Sequence, residues 1–352
     1  MFGGKTPVHL HVPDTHAVGG RPLVGAVTID VSSPLEIKGV QVSFYGEAEI
    51  EYEYTKMEEN SEGQKVSKKH EFKKEKKFDK MKVQVTGPQK LNPGNYTFPF
   101  ELNLPAHLQP SFKYKKDKME VEIKYRVHAK VLKGALKSDS KSEKAPVKIL
   151  PAVPSPSPKE KSDTNKFMFG KGTSTVSVKL PDTTFTLGQA IVFNVECNND
   201  SKKNNKAIKG KLEQKIKLKS GESEVPDYHH EKTVAESKAE GTGENRTSVV
   251  RELKLETSNL PPTVHHPFIE IEYKLNASAD YSFAKDPAVK VEVVIIPRQA
   301  QQSNPGAMTG GNYTLNTVQP PAQPMLMPMA MPVGMPTPMP MPMAEQPVHV
   351  SA

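Results

Sequence analysis

The sequence predicts an all-β chain folded as a tandem of two similar antiparallel β-sandwiches, and three observations lead there. Helical periodicity is nearly absent. Short segments alternate apolar and polar residues between Gly, Pro, Asn and Asp, the pattern of strands with one buried face. The second half then repeats motifs of the first in the same order.

Taken along the chain, PLVGAVTIDV sets Leu23, Val27 and Ile29 on one face of a strand. MEVEIKYRVHAKV sets Val121, Ile123, Tyr125, Val127, Ala129 and Val131 on one face, with Glu120, Glu122, Lys124, Arg126, His128 and Lys130 opposite. FIEIEYKLNA does the same with Ile269, Ile271, Tyr273, Leu275 and Ala277. The stretch LPDTTFTLGQAIVFNVECN echoes VPDTHAVGGRPLVGAVTIDV. Aligning Gly188 with Gly20 sets Ile191, Val195 and Cys197 on Leu23, Val27 and Ile29. An Ile-Lys-Gly follows each copy, at Ile37–Gly39 and Ile208–Gly210, but the apolar parity slips there, so the second copy needs a bulge or one-residue shift. LNLPAHLQPSF and SNLPPTVHHPF echo next, and each copy closes on a Val/Ile strand ending at Pro151 or Pro297. The expected organisation is a first sandwich at 1–150, a Pro/Ser/Lys-rich linker at 151–174, a second sandwich at 175–298, and a disordered Gln/Pro/Met-rich tail at 299–352. Alternating Met-Pro in that tail cannot form a helix.

A length of 352 residues suits two domains with real cores. Cys197 is the single cysteine, so no intrachain disulfide forms, and its parity makes it an inert core residue. MFGGKTPVHLHV has no apolar core of a secretion signal, and no run approaches the roughly 18 apolar residues that cross a bilayer. Phe2 and the terminal HVSA offer no lipidation motif. The five Asn-x-Ser/Thr triplets then read as chance, in a reducing, cytoplasmic setting.

The net charge is +8. Residues 301–352 hold one acid, Glu345, and no Lys or Arg, so the charge sits on the body of the chain and favours anionic partners. Two lysine clusters carry it. Lys56–Lys82 holds ten lysines and six acids, including the candidate contacts Lys68, Lys69, Lys73, Lys74, Lys76 and Lys77. KYKKDK contributes Lys113, Lys115, Lys116 and Lys118, on a loop that the second copy lacks. These clusters suit acidic peptide tails or an anionic lipid surface; the plainer reading of the first is a solvated hairpin with local charge pairing. Nucleic acid is not expected, since tryptophan is absent and aromatics do not interleave with the basic runs. The histidines, including the pairs His229-His230 and His265-His266, read as surface or turn residues and not as metal ligands. No nucleophile-elbow, phosphate-loop or zinc-protease motif occurs, so neither catalytic residues nor cofactors are expected.

PLVGAVTIDVSSPLEIKGVQVSFYGEAEIEYEY resembles the opening of an arrestin N-terminal domain. LNPGNYTFPFELNLPAHLQPSFKYKKDKMEVEIKYRVHAKV is similar to that domain's later part, through Pro93-Gly94, Phe98-Pro99-Phe100, Leu104-Pro105, Pro110-Ser111-Phe112 and Tyr125. TTFTLGQAIVFNVECNNDSKKNNKAIKGKLEQKIKL is similar to the opening of an arrestin C-terminal domain. The resemblance covers about residues 6–297 and is nearest the arrestin-domain-containing (alpha-arrestin) branch. It implies immunoglobulin-like sandwiches and a non-enzymatic cytoplasmic adaptor, peripheral at the endosomal or plasma membrane. Such an adaptor would couple the cytoplasmic tails of membrane-protein cargo to endocytic or endosomal machinery. The branch usually recruits ubiquitin ligases through Pro-Pro-x-Tyr, which this tail lacks, having Pro320-Pro321-Ala322-Gln323. The alternative is a scaffold subunit like the retromer's arrestin-like component, holding partners by strand-edge pairing.

Overall fold

The computed structural model describes residues 6–134, 138–151, 154–168, 172–243 and 247–298. The tail expected at 299–352, with its Met-Pro repeats, lies outside the described residues.

Strands begin with β1 (Val8–His11), β2 (His16–Val18), β3 (Pro22–Val31) and β4 (Leu35–Ile37). The long β5 (Gly39–Glu59) and β6 (Lys65–Thr86) follow, then β7 (Gln89–Leu91) and β8 (Gly94–Asn103). The first half ends with β9 (Phe112–Lys116), β10 (Met119–Leu132), β11 (Ser140–Lys141) and β12 (Ala145–Leu150). In the second half come β13 (Lys159–Lys166), β14 (Gly172–Leu180), β15 (Thr184–Thr186) and β16 (Ile191–Ser201). They are followed by β17 (Asn205–Leu218), β18 (Tyr228–Gly243) and β19 (Thr247–Leu255). The last are β20 (Val264–His266), β21 (Ile269–Tyr281) and β22 (Ala288–Ile296). No helix occurs among the described residues.

Each half is a sandwich, and the two share a topology. In the first lobe the order β1-β3-β8 faces β2-β12-β10-β5-β6, with β9 and β11 also on β10 and a small β4-β7 ribbon alongside. In the second, β13-β14-β16-β19 faces β15-β22-β21-β17-β18, with β20 on β21. Even the parallel pairs correspond: His16 lies opposite Lys148 and Thr184 opposite Val294. Gly20 and Gly188, aligned in the sequence, hold the same left-handed turn with φ of +80° and +82°, a conformation that costs an L side chain about 1–2 kcal/mol.

Alternation drives the burial. Val121, Ile123, Tyr125, Val127, Ala129 and Val131 are all sealed from solvent, as are Ile269, Ile271, Tyr273, Leu275 and Ala277. Leu23, Val27, Ile29, Ile191, Val195 and Cys197 come from the facing sheets and are buried too. Each fully buried aliphatic side chain contributes roughly 1.5–3 kcal/mol. Corresponding tyrosines tie each lobe to its own loop. Tyr125 donates to the Gln109 carbonyl at 2.8 Å, and Tyr273 donates to the Pro261 carbonyl at 2.6 Å while accepting from Gln214 Nε2 at 2.7 Å. Burial pushes both phenols up.

Pairing also corrects two sequence expectations. Tyr125 opposes Gly46 and Tyr273 opposes Gln214, which keeps the offset set by Gly20 and Gly188. Ile208 and Gly210 therefore match Val40 and Val42, and the Ile-Lys-Gly echo is not structurally equivalent. β17 does shift register between Asn205 and Ala207 against both β18 and β21, but the offset is the same beyond it, so the apparent slip came from aligning the two Ile-Lys-Gly segments. The second correction concerns 151–174. Lys159–Lys166, read as linker, pair with β14 from Lys159–Leu180 to Lys166–Thr173. KEKSDTNK has no apolar alternation because neither of its faces enters the core; β14 supplies its ladder.

Replacing Tyr273 with Phe leaves the Pro261 carbonyl and Gln214 amide short of a partner. We expect a loss of about 1–3 kcal/mol in denaturant unfolding, and a smaller loss for Tyr125→Phe, whose phenol serves one partner.

Candidate functional site

The lysine clusters do not form loops. β5 and β6 make one long hairpin, pairing from Val40–Thr86 out to Glu59–Lys65. KYKKDK belongs to β9 and its turn into β10, with Asp117 in the left-handed region at φ +51°. The second lobe does not lack this hairpin; β20 is its shorter counterpart on β21. A period of two places Lys69, Lys73, Lys77, Lys113 and Lys115 on the outward parity, where they meet the glutamates of neighbouring strands, and turns Lys74 and Lys116 to the other face.

The result is a ladder of ion pairs. Lys73 reaches Glu49 at 2.6 Å and Glu51 at 3.3 Å, and Lys68 and Lys69 reach Glu58 and Glu53 at 3.2 and 3.5 Å. Lys118 meets Glu53 at 2.5 Å, while Lys113 and Lys115 share Glu120 at 2.6 and 3.0 Å. Lys77 lies 3.7 Å from Glu47, which Arg126 also holds at 3.0 Å. Lys113, then Lys115, pulls the Glu120 carboxyl down to about 2, and Glu120 in turn raises Lys113. The lysine ends of these pairs are exposed while their carboxylates are half-buried or, at Glu47, buried, so the exposed lysines set local charge balance more than stability.

The other three candidates differ. Lys76 is exposed and makes no ion pair among the described residues. Lys74 and Lys116 stand at the contact between the lobes. The Lys74 ammonium donates to the Ser220 carbonyl and lies 5.8 Å from the centre of the Phe268 ring. Lys116 lies against Lys232 of β18; burial first, then the Lys116 charge, pushes Lys232 down to about 8.

Around them the lobes meet on aromatic side chains and polar bridges. Tyr52 donates to the Pro226 carbonyl at 2.7 Å and packs against Phe72 and Tyr228 at 5.3 and 5.7 Å. The His265 amide donates to Gln109 at 3.0 Å, and Lys56 pairs with Glu224 at 3.2 Å. His266, read from the sequence as a surface or turn residue, is buried between Phe78 at 4.6 Å and Phe268 at 4.4 Å. Its position is fixed by β20, whose alternation points Val264 and His266 inward and His265 out. Sequence reasoning missed Tyr52, His266 and Phe268 as junction residues. The one available signal was the buried parity of Tyr52 beside a lysine-rich hairpin. No group of three or more His, Cys, Asp or Glu is placed to hold a metal among the described residues. Nor is any helix there long and apolar enough to cross a membrane.

This geometry can now be set beside known proteins. The family description "Arrestin (or S-antigen), N-terminal domain" matches residues 8–153, and "Arrestin (or S-antigen), C-terminal domain" matches residues 170–299. The chain belongs to the arrestin family. It is similar to Arrestin domain-containing protein A of Dictyostelium discoideum, at 28% identity over 235 residues. That match covers 62% of this chain and 39% of the relative, so the chain spans less than half the length of that protein. The family's two domains coincide with the two sandwiches, and the junction just described joins an arrestin N-terminal to an arrestin C-terminal domain.

Burial in this arrestin junction holds His266 down to about 4, with Asp79 opposing and Lys76 reinforcing the shift. The unfolded chain binds a proton near pH 6.5 that the folded chain refuses until about pH 4. Stability therefore falls as pH drops through that window, by roughly 3 kcal/mol from this residue at its lower end. Urea midpoints measured from pH 7 to pH 4 are expected to fall more steeply for the wild type than for His266→Phe.

Proposed function

We propose that this arrestin-family chain is a non-enzymatic adaptor. In this reading it links the cytoplasmic tails of membrane-protein cargo to endocytic or endosomal transport, peripherally at the membrane. The observation that carries the reading is the ordered pair of arrestin domains, N-terminal then C-terminal, whose two cores are continuous with each other across the lobe contact. Two sandwiches joined in this way present sheet faces and loop tips to other proteins without needing a catalytic centre.

The anionic contacts are proposed on the ladder face and its rim, at Lys68, Lys69, Lys73, Lys76, Lys77, Lys113, Lys115 and Lys118, with Lys74 and Lys116 at the edge of the lobe contact. Ion pairs on an exposed face exchange readily for an acidic partner, because each pair contributes little on its own. Charge of this kind speeds encounter and makes it dependent on salt. The scaffold alternative needs free strand edges. The edges of β6 and β13 carry Lys65, Lys69, Lys73, Lys159 and Lys161 along their length, and lysines along an edge discourage strand addition. That favours the adaptor.

Binding of the chain to acidic tail peptides or phosphatidylserine vesicles is expected to weaken about tenfold between low and physiological salt. Changing Lys113, Lys115, Lys116 and Lys118 together to Gln is expected to remove most of it. Binding that ignores salt and survives the fourfold change would instead support the scaffold.

A further inference from the structure

The chain that joins the two lobes carries two Ser-Pro steps, Ser155-Pro156 and Ser157-Pro158. Residues 154–158 are exposed and belong to no strand. The Ser157 amide ties this segment to the second lobe, donating to Asp182 Oδ1 at 3.1 Å. The same oxygen accepts the Thr184 amide at 3.0 Å and so closes the turn between β14 and β15. Burial raises the Asp182 carboxyl, but the backbone N–H groups of Ser157, Thr184 and Thr183 outweigh it and hold the carboxyl below its usual range. Asp182 is therefore a full negative charge at neutral pH.

The first lobe has the same turn without the tether. Asp14 corresponds to Asp182 in the echoed Pro-Asp-Thr, and its Oδ1 accepts the His16 amide at 2.8 Å, as Asp182 accepts that of Thr184. The turn accounts for the aspartate in both copies, whereas the bond to Ser157 is an addition of the second. That bond leads straight into β13, the extra edge strand. Every residue of β13 except Asn165 is exposed. The strand is held by its ladder on β14 and by side chains that reach β22. Lys161 donates to the Lys290 carbonyl at 3.0 Å, and Asp163 accepts the Ala288 amide at 3.1 Å. A strand held by hydrogen bonds alone, with no apolar side chain buried, opens at low cost.

We propose that Ser157 is a phosphorylation site for a proline-directed kinase, and that the phosphate releases the start of β13 from the second lobe. The γ-phosphoryl group of a nucleoside triphosphate passes to Ser157 Oγ. Its bond to the nucleoside diphosphate breaks, the diphosphate leaves, and the hydroxyl proton goes to the kinase's base. The other Ser/Thr-Pro steps among the described residues lack this setting. Thr6 Oγ1 accepts from Lys133 Nζ at 3.3 Å, and Ser33 lies in the short turn between β3 and β4. Covalent geometry keeps a phosphate on Ser157 within roughly 7 Å of the carboxylate that its amide touches. A group carrying about −1.5 to −2 charges at neutral pH is repelled by a carboxylate at that range. Lys159, which follows, makes no ion pair among the described residues and can turn with the phosphate toward water. The inference concerns how the lobes are joined and does not rest on the adaptor reading.

The test treats the full chain with ATP and a purified mitogen-activated protein kinase, maps the phosphate by mass spectrometry, and follows hydrogen exchange by residue. Phosphate is expected on Ser157. The amides of Lys159–Lys166 are then expected to exchange at least about tenfold faster than in the unmodified chain, while those of β10 and β21 change less than about twofold. Ser157→Ala should keep its slower exchange after the same treatment, and Ser155→Ala should behave as the wild type. Asp182→Asn keeps an acceptor for the Ser157 amide and removes the charge. Phosphorylation is expected to speed β13 exchange in that variant by less than about threefold. A peptide of residues 151–166 serves as the substrate control. Modification of the peptide without modification of Ser157 in the chain overturns the proposal, as does failure to modify either. So does phosphate on Ser157 that leaves β13 exchange unchanged or slower, or an acceleration undiminished in Asp182→Asn.

Discussion

One constraint governs this molecule: a strand paired on both edges and packed on one side must bury every second residue. β10 and β21 obey it throughout, with each inward residue sealed and each outward one partly exposed. Because β5 and β17 are locked to them in register, a slip of one residue would carry charge into the core and aliphatic side chains into water. The rest of the structure follows from that parity. The outward residues are left polar, and their chemistry is free to differ between the lobes.

That freedom shows where the two copies part. Both keep the left-handed glycine, the parallel edge pair and the tyrosine that ties the second long strand to the loop before it. The outward faces have changed. The first lobe extends its β5–β6 hairpin and lines it with lysines facing glutamates, while the second shortens the hairpin and adds β13 as an extra edge. At matching positions one lobe sets Tyr45 and His128, the other Glu213 and Asn276. At the junction, the β17–β18 turn meets the first lobe's long hairpin and Tyr52 reaches across to Pro226. Lys74 reaches across as well, placing a charge over an aromatic ring next to a buried histidine. Groups of this kind, held at an interface between two packed bodies, respond to charge and pH sooner than the aliphatic cores do.

Much of the fold was legible in the amino-acid sequence because alternation is a local signal. Leu23, Val27 and Ile29, with their echoes Ile191, Val195 and Cys197, could be placed from parity alone. The tyrosines of EIKYRV and EIEYKL could be placed in the same way. β13 was not legible, since KEKSDTNK has no buried face and is ordered by hydrogen bonding to a partner strand. KYKKDK looked like a loop because its charge hides a hairpin that its shorter counterpart, at His265-His266, forms without lysines. The ladder residues were visible as lysines, but their glutamate partners sit on other strands and appear only with the register.

Native-state hydrogen exchange resolved by residue tests the central claim most directly. The account predicts that the slowest amides lie in Val121–Val131 and Ile269–Ala279 and in the stretches of β5 and β17 paired with them. The tip of the β5–β6 hairpin and β13 should exchange far sooner. If β10 and β21 exchanged as fast as β13, or if protection gathered in one lobe while the other opened freely, the two matched, parity-locked cores would not be what holds this chain together.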